Sequence, residues 1–294
     1  MIIITMLIIL IIIMSNIDDY LRPFQADFRR KDRFLWAKVY VEGLRADLER
    51  KTIEGIARSI KLPEVLDIDD AQQALQNFIQ ESPWDERLVM SRHRQHLAAR
   101  NGGDGVLVVE DIFLFKQGRH SVGVHRQFCP PEAKKMNCQI VTGVFLVAPE
   151  HAAPLAMRLY LPRSWCENSA RLAKSKVPPV HSKPRSKIEL VLELLDELRE
   201  DGLPYRQIVA GDSYQRSEEF LSGLKKLDMQ LRIDSVKSPV KAVNLAQRAQ
   251  ELITHLKDHR GLDHYEGRTW RGLHHHLCLV ALAHGVDIRS VPNA

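Results

Sequence analysis

The sequence VLVVEDIFLF, residues 106–115, places two adjacent carboxylates, Glu110 and Asp111, inside an apolar run that is typical of a buried strand. An unpaired charge inside a sheet is costly, so these acids need a partner. A second apolar run, QIVAGD at 207–212, also ends on a carboxylate, Asp212. If the two strands are neighbours in one sheet, Asp111 and Asp212 converge, and their repulsion predicts a bound cation between them.

Magnesium is the cation that this chemistry favours. Mg²⁺ takes hard oxygen ligands, and one or two carboxylates usually hold it together with water or substrate phosphate. Two such ions about 4 Å apart activate a nucleophile and stabilise the leaving oxygen of a phosphodiester. The other interpretation of an aspartate at a strand end is a turn or a helix cap, which Asp strongly favours. The two acids alone do not choose between these interpretations.

The surrounding pattern predicts an α/β fold, a mixed sheet with flanking helices that follows an N-terminal helical segment. Helical spacing of apolar residues runs from 27 to about 100, and NGGDG then ends it. Strands are predicted at 106–112, 121–128, 139–149 and 154–162, a meander, then in YRQIVAGDSY, where the strand ends on Asp212, and at 229–233. Helices are predicted at 186–200, 216–226, 240–258 and 270–284.

Composition excludes several classes of protein. With 294 residues, 45% hydrophobic and 27% charged, the chain is neither disordered, collagen-like nor a disulfide scaffold. Its four cysteines form no C-x-x-C pair, which favours a reducing cytoplasm over a zinc ribbon or a redox motif. Residues 163–187 hold seven basic residues against Glu167 alone, so this stretch is either a solvated loop or a contact for a polyanion such as DNA.

The first fourteen residues, MIIITMLIILIIIM, are almost wholly apolar. The run is shorter than the roughly twenty residues that a spanning helix needs, and it lacks the basic front and cleavage site of a signal peptide. We therefore expect residues 1–14 not to be native, with the protein starting at Met14, and no membrane partner. A membrane tether is the alternative.

Five motifs, which follow one another in order from Val106 onwards, resemble insertion-sequence transposases of the DDE superfamily with a ribonuclease-H-like core. The resemblance extends upstream through SPWDERLV and ERKTIEGIA, so it covers nearly everything from Tyr20 to His284. The motifs are VLVVEDIFLFKQGRHSVGVHRQF, NCQIVTGVFLVAP, MRLYLPRSW, QIVAGDSY and GLDHYEGRTWRGLHHHLCLVALAHG. The resemblance implies a helical DNA-end-binding domain at 20–102 and a catalytic domain at 103–286.

The resemblance also implies an activity, a cofactor and partners. The activity is cytoplasmic cutting and joining of DNA strands at the ends of a mobile element, with Mg²⁺ or Mn²⁺ as cofactor. Asp111, with Glu110 beside it, and Asp212 match the first two catalytic acids and metal ligands of the family. The partners are double-stranded DNA at the element ends and the target, and a second copy of the chain, as a homodimer.

The third acid is where the sequence departs from the family. Only thirty-eight residues separate Asp212 from Glu251, so a β-rich insertion that relatives carry there looks deleted. The family's glutamate position falls on Gln250, and the predicted acid, Glu251, points about 100° away from it around a helix. Glu266 is the alternative third acid, although it can instead cap the last helix or pair with Arg268.

Basic residues near the predicted site are candidates for phosphate contacts, or otherwise solvated surface. They are Lys116, Arg119, Arg126, Lys134, Lys135, Lys257, Arg268 and Arg271. His274–His276 form a poor shared metal site, because consecutive helical residues point to different faces, so packed or DNA-facing histidines are expected. The shortened insertion and Gln250 leave a second hypothesis open, an inactive transposase remnant that at most binds DNA.

Overall fold

A computed structural model describes residues 17–66, 68–101, 103–232 and 244–290. The apolar run at 1–14, with the predictions made for it, lies outside the described residues. No helix in the described ranges is long and apolar enough to cross a membrane.

The described chain contains six strands, four short 3₁₀ helices and the eleven helices named below, and residues 17–21 are helical as well. The strands are β1 (Val106–Phe115), β2 (His125–Cys129), β3 (Lys134–Val147), β4 (Ala152–Tyr160), β5 (Gln207–Ala210) and β6 (Gln230–Leu231). The helices are α1 (Lys31–Arg45), α2 (Ile53–Ser59), α3 (Ala71–Gln80), α4 (Glu86–Asn101), α5 (Arg163–Cys166), α6 (Ser169–Lys174), α7 (Lys187–Glu200), α8 (Asp212–Gln215), α9 (Glu218–Lys226), α10 (Leu245–Arg260) and α11 (Trp270–Ser290). The 3₁₀ helices are Arg22–Phe28, Glu64–Leu66, Pro130–Glu132 and Pro179–His181.

The sheet confirms the predicted fold class. Strands β1, β3 and β4 form an antiparallel meander, β5 pairs with the other side of β1 in parallel, and β6 extends the sheet in parallel with β5. The resulting order β4-β3-β1-β5-β6 is that of a ribonuclease-H-like sheet, with β2 added beside the first half of β3. Strand β1 therefore lies at the centre, where its polar residues have neighbours on both sides.

One predicted strand starts later than the sequence pattern suggests. Residues 121–124 form a turn, in which the Val124 amide donates to the Ser121 carbonyl, and β2 begins only at His125. Gly123 has φ +71°, the left-handed region that favours glycine, and a Cβ there would lie 2.9 Å from the Leu159 side chain. Alternating apolar letters alone could not reveal this turn.

Two hydrophobic clusters cover the two faces of the sheet. Val108 and Ile112 of β1 face a cluster that also contains the N-terminal helices, α10 and α11. Leu107 and Val109 face the second cluster, with the apolar side of α7. Helix α7 starts at a capping box formed by Ser186 and Glu189, which fixes where its first residue lies. Side chains of adjacent β1 residues thus enter different layers.

Helix α11 joins the N-terminal helices to the sheet. It packs against α1, α3 and α4 on one side and against β4 and α10 on the other. The predicted domain boundary near residue 102 stays a prediction, but the two segments share one continuous hydrophobic cluster in the described chain.

Candidate active site

Asp111 lies in the centre of the sheet with a nearly buried carboxylate. Its side chain is 13% exposed, and Oδ1 accepts hydrogen bonds from Tyr214 Oη at 3.0 Å and Thr142 Oγ1 at 3.2 Å. Oδ2 forms an ion pair with the Lys187 ammonium at the start of α7. The charge that the sequence left unexplained is thus neutralised by a lysine and oriented by two hydroxyl groups.

Glu110 points to the opposite face of β1, as successive residues of a strand do. The side chain of Gln250, on α10, forms a hydrogen bond with it. Burial, followed by repulsion from the Asp111 carboxylate, raises the pKa of Glu110 to about 7. At neutral pH, the Glu110 side chain is therefore present in both its protonated and its ionised form.

Asp212 follows β5 and is the first residue of α8. Val109 of β1 pairs with Ala210 of β5, so Asp111 and Asp212 each lie two residues beyond a matched pair on neighbouring parallel strands, which run about 4.8 Å apart. The Asp212 side chain is 80% exposed and its carboxylate pairs with Arg216 at 2.9 Å. The backbones therefore run side by side here, but the two carboxylates contact different cations.

Tyr214 connects these two segments. It lies on α8, two residues after Asp212, and its hydroxyl reaches back to the carboxylate of Asp111. Burial is the main cause that raises the pKa of Tyr214, with the negative charge of Asp111 next, so it stays a neutral donor. The sequence analysis did not identify the ion pair between Lys187 and Asp111. The two residues are 76 positions apart, and no local pattern indicates that they pair.

The predicted third acids lie elsewhere. Glu251 accepts a hydrogen bond from Gln247 at 2.9 Å and lines a cavity with His255, whereas Gln250 is the α10 residue beside Glu110. Glu266 is 65% exposed and pairs with Arg50 at 2.9 Å, not with Arg268. Among the described residues, Asp111, Asp212 and Glu251 do not form a group of ligand atoms within reach of one ion.

The donor set around β1 nevertheless fits a hard divalent cation. Asp111 and Asp212 offer only carboxylate oxygens, which suit Mg²⁺ or Mn²⁺, whereas Glu110 and Gln250 lie together on the opposite face of β1. Asp111 already needs a positive neighbour, and the Lys187 ammonium fills that position. Because Lys187 is 35% exposed, its flexible side chain can swing to solvent when a stronger cation arrives.

The raised pKa of Glu110 gives a testable pH dependence. Its pKa is about 7 in the folded chain against 4.5 ordinarily, so between these values the folded chain holds a proton that the unfolded chain releases. The stability that Glu110 contributes is therefore full below about pH 4.5 and is lost as pH rises to about 7. We expect a loss of roughly 2–3 kcal/mol, less than the full shift at 1.36 kcal/mol per pKa unit because the side chain is partly exposed.

Urea unfolding at a series of pH values, in the presence of a chelator, measures this loss. The matched variant is Glu110→Gln, which removes the titrating group and keeps a partner for Gln250. The difference in unfolding free energy between wild type and variant should change across this pH interval. A difference that stays constant between pH 4.5 and 7 would show that Glu110 titrates normally.

Several predicted phosphate contacts have structural partners instead. Lys116 Nζ donates to the carbonyl of Tyr265 at 2.7 Å, and Lys257 Nζ donates to the carbonyl of Phe113 at 3.0 Å. Burial lowers the pKa of both lysines. Each lysine thus connects separate backbone segments in this arrangement, and the role of the two lysines as DNA contacts stays a prediction.

The other predicted contacts lie on the surface. Arg271 is exposed and donates to the carbonyl of Glu81 at 3.1 Å. The side chains of Arg119, Arg126, Lys134, Lys135 and Arg268 are exposed. Much of the basic stretch 163–187 is paired; for example, Lys176 contacts Glu81.

His274, His275 and His276 are buried on three sides of α11, as expected of packed histidines. Each ring contacts backbone carbonyls: His274 that of Trp270, His275 those of Ile79 and Trp84, and His276 that of Gly261. The three rings form no shared metal site in the described residues.

The model of a family described as a DDE superfamily endonuclease matches residues 23–251, so the chain belongs to that superfamily. The chain is also 27% identical over 215 residues to a probable transposase for insertion sequence element IS701 from Microchaete diplosiphon, which confirms the resemblance to insertion-sequence transposases. That match covers 72% of this chain and 52% of the relative, so the chain spans about half the relative's length.

A solved structure was also found. The crystal structure of a pre-cleavage Mos1 transpososome aligns with 87% of this chain and 78% of its own, at 12% identity and a TM-score of 0.25.

Proposed function

We propose that the chain catalyses metal-dependent cleavage of DNA at the ends of an insertion sequence and joins the freed ends to a target. The observation that supports this most is the matched position of Asp111 and Asp212 after paired residues of β1 and β5. In open α/β sheets, ligands bind at the carboxyl ends of neighbouring strands. Membership of the DDE endonuclease superfamily supports phosphodiester cleavage as the reaction.

Asp111 and Asp212 are the proposed metal ligands, with Mg²⁺ or Mn²⁺ as the ion. When bound, the ion would lower the pKa of a water or hydroxyl nucleophile and stabilise the leaving oxygen. Tyr214 and Thr142 hold the Asp111 carboxylate in one orientation through Oδ1. Gln250, at the family's third position, lies beside Glu110 on the opposite face of β1 from Asp111, so it would not complete this metal site as a glutamate would.

The proposed partner is double-stranded DNA in the cytoplasm. The exposed side chains of Arg119, Arg126, Lys134, Lys135 and Arg268 are the proposed phosphate contacts, since phosphate binding needs accessible cations. The helices at 20–102 are the proposed reader of the element ends. Two chains that pair the two ends form the proposed homodimer.

Incubation of the full chain with DNA that carries the element's own ends tests this proposal. With Mg²⁺ or Mn²⁺, we expect nicks at the element ends and joined products with target DNA. DNA with scrambled ends is the matched control and should remain uncut. Specific binding without any nick would instead identify the chain as an inactive remnant.

Lys187 should compete with the metal ion for Asp111. Substitution Lys187→Met removes the ammonium, so we expect the apparent Kd for Mg²⁺ to fall about tenfold, which corresponds to 1.4 kcal/mol. Thermal melting across a Mg²⁺ titration measures this, because a ligand that binds only the folded chain raises its Tm. Lys226→Met, at an exposed lysine of α9, is the matched control and should behave as wild type. Equal Mg²⁺ affinity in Lys187→Met and wild type would contradict competition.

A further inference from the structure

A second group of candidate metal ligands lies away from the carboxylates of β1. His255, His284 and Asp287 each offer one ligand atom, and these atoms all lie within 4.8 Å of one another. They border a cavity of about 670 Å³ between α10, α11 and the loop that joins β3 to β4. Since none of the three has a role in the proposed DNA cleavage, their grouping needs its own explanation.

His284 is arranged as a metal-binding histidine usually is. Its Nε2 lies 2.8 Å from the carbonyl of Ala152, which can only accept, so Nε2 carries the proton. Its Nδ1 is buried and has no hydrogen-bond partner in the described part of the chain. Ligating histidines almost always donate their second ring N–H to a carbonyl or carboxylate, which fixes the tautomer and aims the other nitrogen at the ion.

Helix geometry brings the other two ligands to the same place. His284 and Asp287 are three residues apart on α11 and therefore share one face of the helix. His255 reaches across from α10, and its ring centroid lies 5.6 Å from that of His284. The site therefore joins α10 and α11, which also meet through the Arg260–Asp287 ion pair.

The Asp287 carboxylate is held in place from outside the group. Arg45 Nε donates to Oδ1 at 2.9 Å, and Arg260 donates to Oδ2 through Nε at 2.8 Å and through Nη2 at 2.5 Å. A carboxylate oxygen has two lone pairs, so Arg260 uses both of those on Oδ2, while Oδ1 keeps acceptor capacity for a metal ion. The two guanidinium groups oppose a further cation, and Glu251, one helical turn before His255, adds negative charge at the same cavity.

We propose that His255, His284 and Asp287 bind a borderline divalent transition-metal ion such as Zn²⁺. Two imidazoles and a carboxylate are a common zinc ligand set, and the fourth position opens into the cavity, where a water molecule binds. Ligand atoms around zinc lie about 3.4 Å apart, given bonds of about 2.1 Å and tetrahedral geometry. A small rotation of the partly exposed His255 closes the remaining gap.

Isothermal titration of the full, untagged chain with Zn²⁺, in excess Mg²⁺ that occupies the proposed site at Asp111 and Asp212, tests the site. We expect one ion per chain with a Kd in the micromolar range or tighter, a rise in Tm, and visible absorption bands of tetrahedral cobalt when Co²⁺ replaces Zn²⁺. His255→Ala should raise the Kd at least tenfold and abolish those bands, while circular dichroism verifies that the variant is folded. An alanine is well tolerated at a partly exposed position of α10.

Two controls separate this site from other sources of metal binding. His120→Ala changes an exposed histidine in the loop between β1 and β2 and should bind Zn²⁺ as wild type does. Asp111→Asn should also leave Zn²⁺ binding unchanged, because the β1 carboxylates form a different site. Absence of stoichiometric binding overturns the proposal, as does equal affinity in His255→Ala and wild type, or loss of binding in either control.

Discussion

Replacing Asp111 with asparagine is expected to reduce metal-dependent nicking of element-end DNA about a thousandfold. The substitution keeps an oxygen that can accept from Tyr214 and Thr142, so the local hydrogen bonds to Oδ1 persist. It removes the negative charge that a divalent ion needs. A metal ion supplies several kcal/mol of transition-state stabilisation, and each 1.36 kcal/mol is a tenfold change in rate.

Single-turnover nicking rates measure this loss, with thermal melting as the test of folding. Asp196→Asn is the matched control: it removes an exposed carboxylate of α7 that pairs with Arg199, and its nicking rate should match wild type. A folded Asp111→Asn protein that retains its nicking rate would remove Asp111 from the catalytic residues. The neighbouring Glu110 would then be the carboxylate of β1 to test.

Replacing Phe28 with alanine should lower the free energy of unfolding by about 3–5 kcal/mol, the usual cost of removing a buried phenyl ring. Phe28 is fully buried, and its ring contacts those of Phe34, Phe78 and Trp84. Trp84 in turn stacks on His275 of α11. Because this aromatic cluster joins the N-terminal helices to α11, the substitution should lower the stability of the whole chain and not of the N-terminal helices alone.

Urea unfolding followed by tryptophan fluorescence and by circular dichroism measures this effect. Both probes should report one transition, shifted to lower urea in Phe28→Ala. Val65→Ala, at a valine that is 68% exposed, should change stability by less than about 0.5 kcal/mol. Two separate transitions, of which the substitution moves one, would mean that the N-terminal helices unfold on their own.

The sequence was sufficient to predict most of the elements. The apolar spacing after Ser186 predicted a helix at 186–200, and α7 runs from Lys187 to Glu200. The predicted final helix at 270–284 extends to Ser290 in the structure. Periodicity succeeds in these cases because one face of each helix packs against an apolar layer. Strand ends were harder, because a turn such as that at Gly123 depends on the side chain of a distant residue, Leu159.

The contacts of the site were mostly beyond prediction. Alternation along β1 implied that Glu110 and Asp111 face opposite layers, but not which layer holds α10. The spacing on α10 did indicate that Gln250 and Glu251 point in different directions, and the structure shows which of them reaches Glu110. Lys116 and Lys257 were predicted as candidate phosphate contacts, and nothing in their local sequence indicates the backbone carbonyls that they contact.

The buried imidazoles of α11 determine how the protein responds to acid. Burial lowers the pKa of His274, His275 and His276 to about 3, against 6.5 ordinarily. Between pH 6.5 and about 3, the three imidazoles are therefore protonated in the unfolded chain and neutral in the folded chain. The stability that they contribute is present above pH 6.5 and is lost as pH falls towards 3. Because the binding of three protons is coupled to one unfolding event, the chain should unfold over a narrow range of pH and not gradually.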